Sequence, residues 1–219
     1  MFSKIPRSMH RSLLQSFLYS TLLLILASCK TFQLTDAKPV SRPVKTVENL
    51  YFSAGNDYVY KCQIDIYKNH VSGILIIKKL NETTHRVALT SDFGNKLIDF
   101  EISEQDFKLN YVIPDLDKKI VINFLKNDFR QLLRRQYPVN ESFENSEYDI
   151  YLSKLGNKAY YLFFSKENGL LNTMIYTKNN KEKIDFSFGA KKHIFADSIN
   201  LQHKDYKITI KLFQITETE

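Results

Sequence analysis

From residue 58 onward the chain alternates apolar and polar positions with a period of two, again and again. That alternation is the signature of a half-buried β-strand. The first run covers residues 58–67. The second, 73–78, is apolar on both faces, and a third spans 85–90. Residues 96–102 put Ile98, Phe100 and Ile102 on one face and Asp99 and Glu101 on the other. Phe107, Leu109, Tyr111 and Ile113 then alternate with Lys108 and Asn110. Turn-forming residues separate the runs at 68–70, 81–82, 92–94 and 103–105.

The period then changes to three and four. Ile120, Val121, Phe124, Leu125, Phe129, Leu132 and Leu133 predict an amphipathic helix of about 18 residues, packed on a sheet. Asp115 and Asp117 are placed to cap its start. Arg130, Arg134 and Arg135 stand at its end, where the helix dipole favours cations, and Pro138 stops it. Strands resume at 148–154, 158–165, 170–178, 183–188, 193–201 and 206–215, joined by short links that favour hairpins. The expected class is α+β and mostly β. The expected form is a curved antiparallel sheet or incomplete barrel of about eleven sequential strands, with one main covering helix. Ile98, Phe100, Tyr111, Phe124, Phe163, Phe186, Phe188, Ile208 and Ile210 are candidates to line an apolar cavity on its concave face. Such residues serve equally to build a filled core, and the pattern leaves both open.

The N-terminus follows a different rule. Lys4, Arg7 and Arg11 precede an apolar stretch from Phe17 to Ala27. A spanning helix needs about 20 apolar residues; this stretch is shorter and ends in small residues, as secretory signals do. Its last residues, Leu26-Ala27-Ser28-Cys29, resemble the lipobox of bacterial lipoproteins. The resemblance implies cleavage before Cys29 and transfer of a diacylglyceryl group to its thiol, with acyl chains such as palmitate then holding the protein on a membrane. The expected organisation is a signal peptide over 1–28, a lipidated Cys29 with a flexible tether over 29–47, and a folded domain over 48–219. By resemblance to lipoprotein sorting rules, Lys30 in place of Asp implies the outer membrane. The lack of an acidic run after Cys29 favours a periplasm-facing position.

Composition then removes alternatives. A hydrophobic fraction of 43% excludes a disordered chain. The net charge of +7 suggests nucleic acid at first sight, but three of the cations sit ahead of the apolar stretch. The others include separate dyads, Lys78-Lys79, Lys118-Lys119, Arg134-Arg135 and Lys191-Lys192, at element ends rather than along one stripe. No nucleic-acid partner is expected; the dyads are solvated strand ends or contacts to anionic lipid. Two cysteines cannot build a disulfide framework or a four-cysteine zinc site, and Cys62 is expected to be a small buried residue in a strand. The five histidines are scattered without metal-ligand spacing, and no nucleophile elbow or glycine-rich phosphate loop occurs. No enzymatic activity, metal or cofactor is expected.

The stretch Leu89-Thr90-Ser91-Asp92-Phe93-Gly94-Asn95-Lys96-Leu97 carries a more specific resemblance. It is similar to the strand–turn–strand of the LolA/LolB lipoprotein-localisation family. The final hairpin, 199–212, also resembles that family's last two strands. The likeness implies a LolB-like half-barrel that binds acyl chains or lipidated proteins and helps their outer-membrane localisation. It places a membrane-insertion loop at Phe93 and Gly94. The implied partners are lipidated proteins, a soluble periplasmic carrier and the membrane itself through Cys29. The alternative is a non-catalytic structural or protein-interaction lipoprotein of the cell envelope.

Overall fold

The computed structural model describes residues 31–55 and 57–215, and the architecture is that of the compact unit Leu34–Glu219. Cys29 and the signal-like segment lie outside the described residues.

Two short strands come first, β1 (Lys38–Val40) and β2 (Thr46–Glu48). Five longer ones follow: β3 (Asp57–Ile66), β4 (Asn69–Lys79), β5 (His85–Thr90), β6 (Lys96–Ile102) and β7 (Phe107–Val112). After helix α1 (Lys119–Leu132) come β8 (Gln136–Pro138), β9 (Glu141–Glu144), β10 (Tyr148–Leu155), β11 (Lys158–Ser165), β12 (Leu171–Lys178), β13 (Lys181–Gly189), β14 (Ser198–His203) and β15 (Ile208–Gln214). The eleven expected strands are all present. The last inner pair is shifted, because residues 190–197 form a loop and β14 starts at Ser198.

The sheet order departs from a sequential meander. Thirteen strands run β1-β9-β10-β11-β12-β13-β14-β15-β3-β4-β5-β6-β7, and β2 pairs only with β8. The last strand, β15, lies antiparallel against β3, with Ile208 opposite Ile66 and Leu212 opposite Cys62. Without that pairing, β3 and β15 would each expose a long row of unpaired backbone groups. The two meanders on either side of α1 therefore join into one sheet, which is not closed into a barrel. The chain leaves edge strand β7, passes through α1, and returns at β8 and β9 beside the opposite edge.

Three expectations are corrected. The tether does not extend through residue 47, since Lys38–Val40 pairs with β9 and Thr46–Glu48 with β8. Strands this short show no readable alternation and exist only through partners about a hundred residues away in the chain. Helix α1 has 14 residues instead of about 18, with Arg134 and Arg135 beyond its C-cap at Leu133. Its N-cap is Lys118, which makes no side-chain cap bond. Asp115 and Asp117 fall before it, in a turn closed by the Leu116 and Asp117 amides on the Ile113 carbonyl.

The core lies between α1 and the concave face. Phe100 and Phe129 meet edge to face at 5.6 Å. Tyr51 and Phe52, from the segment before β3, add rings against Phe188 at 5.2 Å and Tyr60 at 6.4 Å. Each fully buried aromatic of this kind contributes roughly 1.5–3 kcal/mol. Their hydroxyls are satisfied: Tyr51 donates to the Leu171 carbonyl at 2.5 Å and Tyr60 to the Ala196 carbonyl at 3.1 Å. Cys62 is buried in β3, and burial pushes its thiol pKa up to about 12, which suits packing rather than reactivity. Gly73 allows a close approach of β4 and β5, since a Cβ there would sit 1.8 Å from the Thr90 carbonyl oxygen. No helix among the described residues is long and apolar enough to cross a membrane.

Candidate functional site

Two places compete: the concave face and the loop at Phe93. On the concave face Ile98, Phe100, Phe186, Phe188, Ile208 and Ile210 are all buried. Two other cavity candidates point elsewhere. Tyr111 stands opposite Asp99 on the convex face, 44% exposed, with the Lys96 ammonium over its ring at 5.8 Å. Phe163 stands opposite Ile150 on that same convex face and meets Tyr148. Period-two reading fixes which residues share a face but not which face is concave, and that is how both were misplaced. Phe124 belongs to α1, half-buried, and meets His203 edge to face at 5.3 Å and Tyr206 edge to face at 5.1 Å.

The buried inward residues are packed, not open. Helix α1 covers them with Val121, Leu125, Phe129 and Leu132. It is also held by polar groups, which is unusual for an inner helix face. Gln131 accepts a hydrogen bond from the Tyr160 hydroxyl, and its backbone carbonyl accepts one from Tyr137 at 3.2 Å. Asn49 donates to the Leu132 carbonyl at 3.0 Å. Arg130 reaches the Ser103 and Asp106 carbonyls at 3.0 and 3.1 Å. Asp128 is fully buried, and its Oδ2 meets His203 Nε2 at 2.9 Å while Oδ1 has no partner among the described residues. Burial holds the Asp128 carboxyl above its ordinary pKa, and the His203 hydrogen bond only partly offsets this. The Asp128–His203 pair was not legible in the sequence, because it joins positions 75 apart with no local signal.

A cleft of about 310 Å³ opens beside the C-terminal end of α1, lined by Phe52, His85, Ile102, Arg130, Leu133 and Arg134 among others. It reaches the size of the smallest ligand pockets, about 300 Å³. Its cations are already engaged: Arg134 with Glu104 at 3.2 Å, Arg135 with Glu48 at 3.1 Å, Lys79 with Glu82 at 3.1 Å. His85 is buried and donates through Nε2 to the Phe52 carbonyl at 3.2 Å; burial lowers its pKa. On the convex face Asp99 is buried under Arg86 at 2.6 Å and Lys96 at 3.1 Å, and the Arg86 guanidinium holds its carboxyl well below the usual range. No group of acidic residues, histidines and cysteines suited to a metal occurs among the described residues.

The Phe93 loop contrasts with all of this. Phe93 is 93% exposed. Its loop is nevertheless well ordered by hydrogen bonds. The Ser91 amide donates to the Asn95 carbonyl at 2.8 Å, the Gly94 amide to the Ser91 carbonyl at 2.9 Å, and the Ser72 hydroxyl to Asp92 at 3.1 Å. Gly94 takes φ +84°, the left-handed region that glycine adopts at no steric cost, and this turns the chain so that Phe93 projects.

No protein-family model matches the sequence, and no curated protein matches it. Among solved structures, a LolA superfamily protein from Nitrosomonas europaea aligns with a TM-score of 0.51 at 7% identity, covering 78% of this chain and 90% of that one. The chain has a LolA/LolB-like fold. A DUF1329 family protein from Desulfovibrio piger aligns less closely, with a TM-score of 0.43 at 9% identity over 74% of this chain and 85% of that one.

Proposed function

We propose that this protein is a lipid-anchored, non-catalytic lipoprotein of the bacterial outer membrane that faces the periplasm and helps lipidated proteins reach the membrane. The anchor is the lipidated Cys29. Phe93 is the insertion tip, and its exposure is the observation that carries the reading: with 93% of its surface accessible, the ring keeps its apolar area available to an apolar phase outside the protein. The LolA-like fold supports it. Acyl chains would enter between α1 and the concave face, so α1 must yield. Its polar fastenings at Asp128, Gln131 and Arg130 suit a helix that leaves the sheet, because those groups regain water when it opens.

The test is transfer of a lipidated protein from a soluble carrier to membranes. Phe93→Glu is expected to abolish transfer with the circular dichroism spectrum unchanged; unaltered transfer overturns the role of Phe93. A second reading, a structural or interaction lipoprotein, is favoured by the packed concave face. Saturable binding of a fluorescent fatty acid supports the first reading, and its absence supports the second.

A further inference from the structure

The cleft of about 310 Å³ beside the C-terminal end of α1 joins an apolar floor to charged walls. Phe52 and Ile102 on the floor belong to the core, and Leu133 beside them is half-buried. The walls carry four cations, Lys79, Arg130, Arg134 and Arg135, and two carboxylates, Glu82 and Glu104. Glu48 supplies a third carboxylate, to Arg135 at 3.1 Å. Asp106 lies outside the lining and meets Arg130 through its backbone carbonyl.

In two of these ion pairs the cation is the buried partner. The Lys79 side chain is 14% exposed and that of its partner Glu82 is 82% exposed. Arg134 is 17% exposed and its partner Glu104 is 55% exposed. Arg134 is fixed further: its guanidinium lies over the Tyr137 and Tyr160 rings, at 5.9 and 5.6 Å, and its Nε has no partner among the described residues. Nor is Arg134 used to cap the helix. The Phe129, Gln131 and Leu132 carbonyls are taken by the Leu133 amide, the Tyr137 hydroxyl and Asn49. A desolvated cation needs an anionic partner, whereas a carboxylate in water loses little on leaving one. Glu82 and Glu104 are therefore exchangeable counter-ions on fixed cations.

We infer that this cleft binds a single-chain amphiphilic carboxylate. Its head takes the place of Glu104 on the Arg134 guanidinium, with Lys79 adding its charge, and its tail lies along Phe52, Ile102 and Leu133. The head follows from the chain's own carboxylates, which show what these cations accept. A single anionic head also suits the charge, four cations against three carboxylates. The tail follows from the floor, and a short tail from the volume, which lies at the small end of ligand pockets. Other hollows lack this combination. One beside Arg42 has no buried apolar side chain, and one beside Ile120 is formed by α1 residues alone. The inference goes beyond the reading above, which puts acyl chains beneath α1, because this cleft is open with the helix in place.

The chain contains no Trp, so Thr83→Trp, at the exposed rim of the cleft, reports on it alone. The full chain with this substitution is titrated with octanoate, and a saturable change in Trp emission is expected. Acetate and 1-octanol, the head and the tail by themselves, should each bind about tenfold or more weakly. Adding Glu104→Gln removes the competing carboxylate and should tighten octanoate binding about two- to fivefold. Adding Arg134→Gln should weaken it about tenfold or more. If circular dichroism shows that Arg134→Gln does not fold, the exposed Glu104→Gln decides, because its expected effect is a gain. No saturable response to octanoate overturns the inference. Octanoate binding unchanged by Glu104→Gln also overturns it, placing the ligand elsewhere and leaving the reading of acyl chains beneath α1 intact. Octanoate bound in the cleft without binding of a long-chain fatty acid supports the inference and removes that reading. Octanol binding as tightly as octanoate overturns the part of Arg134. Octyl phosphate binding more tightly than octanoate overturns the carboxylate in favour of a phosphate head.

Discussion

Phe129 and Phe93 are the same side chain in opposite circumstances. Phe129, on α1, is buried against Phe100 and the concave face. Phe93, on the β5–β6 loop, touches almost nothing. The face beneath α1 is where the protein stores stability, and the loop end is where it presents surface. A residue that stabilises nothing in the free protein is free to be chosen for what it meets outside. The contrast also locates the unusual feature of the core, which is the polar holding of α1 by Asp128, Gln131 and Arg130 rather than by apolar contact alone.

The largest effect should come from removing the buried ring. Phe129→Ala is expected to cost about 3–5 kcal/mol in urea unfolding, from lost burial plus the cavity left behind. A loss under about 1 kcal/mol would mean that the face beneath α1 is loosely packed, and the contrast with Phe93 would collapse.

Asp128→Ala should come next, costing about 1–3 kcal/mol because the buried His203 loses its hydrogen-bond partner. The pH dependence of Asp128 sharpens the point. Because burial raises the Asp128 pKa in the folded state, that carboxyl contributes stability fully below its unfolded value of about 4, and the contribution is lost as pH rises through the folded value. Melting temperatures measured from mildly acidic to neutral pH should therefore fall on this account in the parent chain and stay flat in Asp128→Asn. Asp99 has the opposite sign. Its pKa is lowered by Arg86, so its contribution is present above about 4 and is lost only in acid. Parallel pH curves for Asp128→Asn and the parent would show that Asp128 is not the group responsible.

The smallest stability effect belongs to Phe93→Glu, within about 0.5 kcal/mol, as for a surface position with no partner. The same variant is the one expected to abolish transfer. A destabilisation comparable with that of Phe129→Ala would show that Phe93 packs in solution and is no exposed tip.

Residues 58–67, 85–90 and 96–102 announce their strands because period two is written in neighbouring residues, and α1 shows its period of three and four in the same way. The Phe93 loop was legible for a related reason, since a turn glycine beside an aromatic between two alternating runs is a local signal. Tyr111 and Phe163 were not, because alternation does not tell inside from outside when both faces carry apolar residues. Asp99 reads as a surface acid beside Glu101, yet it is buried under Arg86 and Lys96, whose approach depends on the neighbouring strand.

Local pattern was enough for the eleven longer strands, the helix and the tight turns, since each is set by side chains a few positions apart. Tertiary structure alone decided that β15 closes on β3, that β1 and β2 find β9 and β8, and that α1 fills the concave face. It alone brought Asp128 to His203. Those outcomes depend on which distant backbone rows remain unpaired and which apolar faces remain uncovered once every local element has formed. That competition is settled only when the whole sheet is assembled.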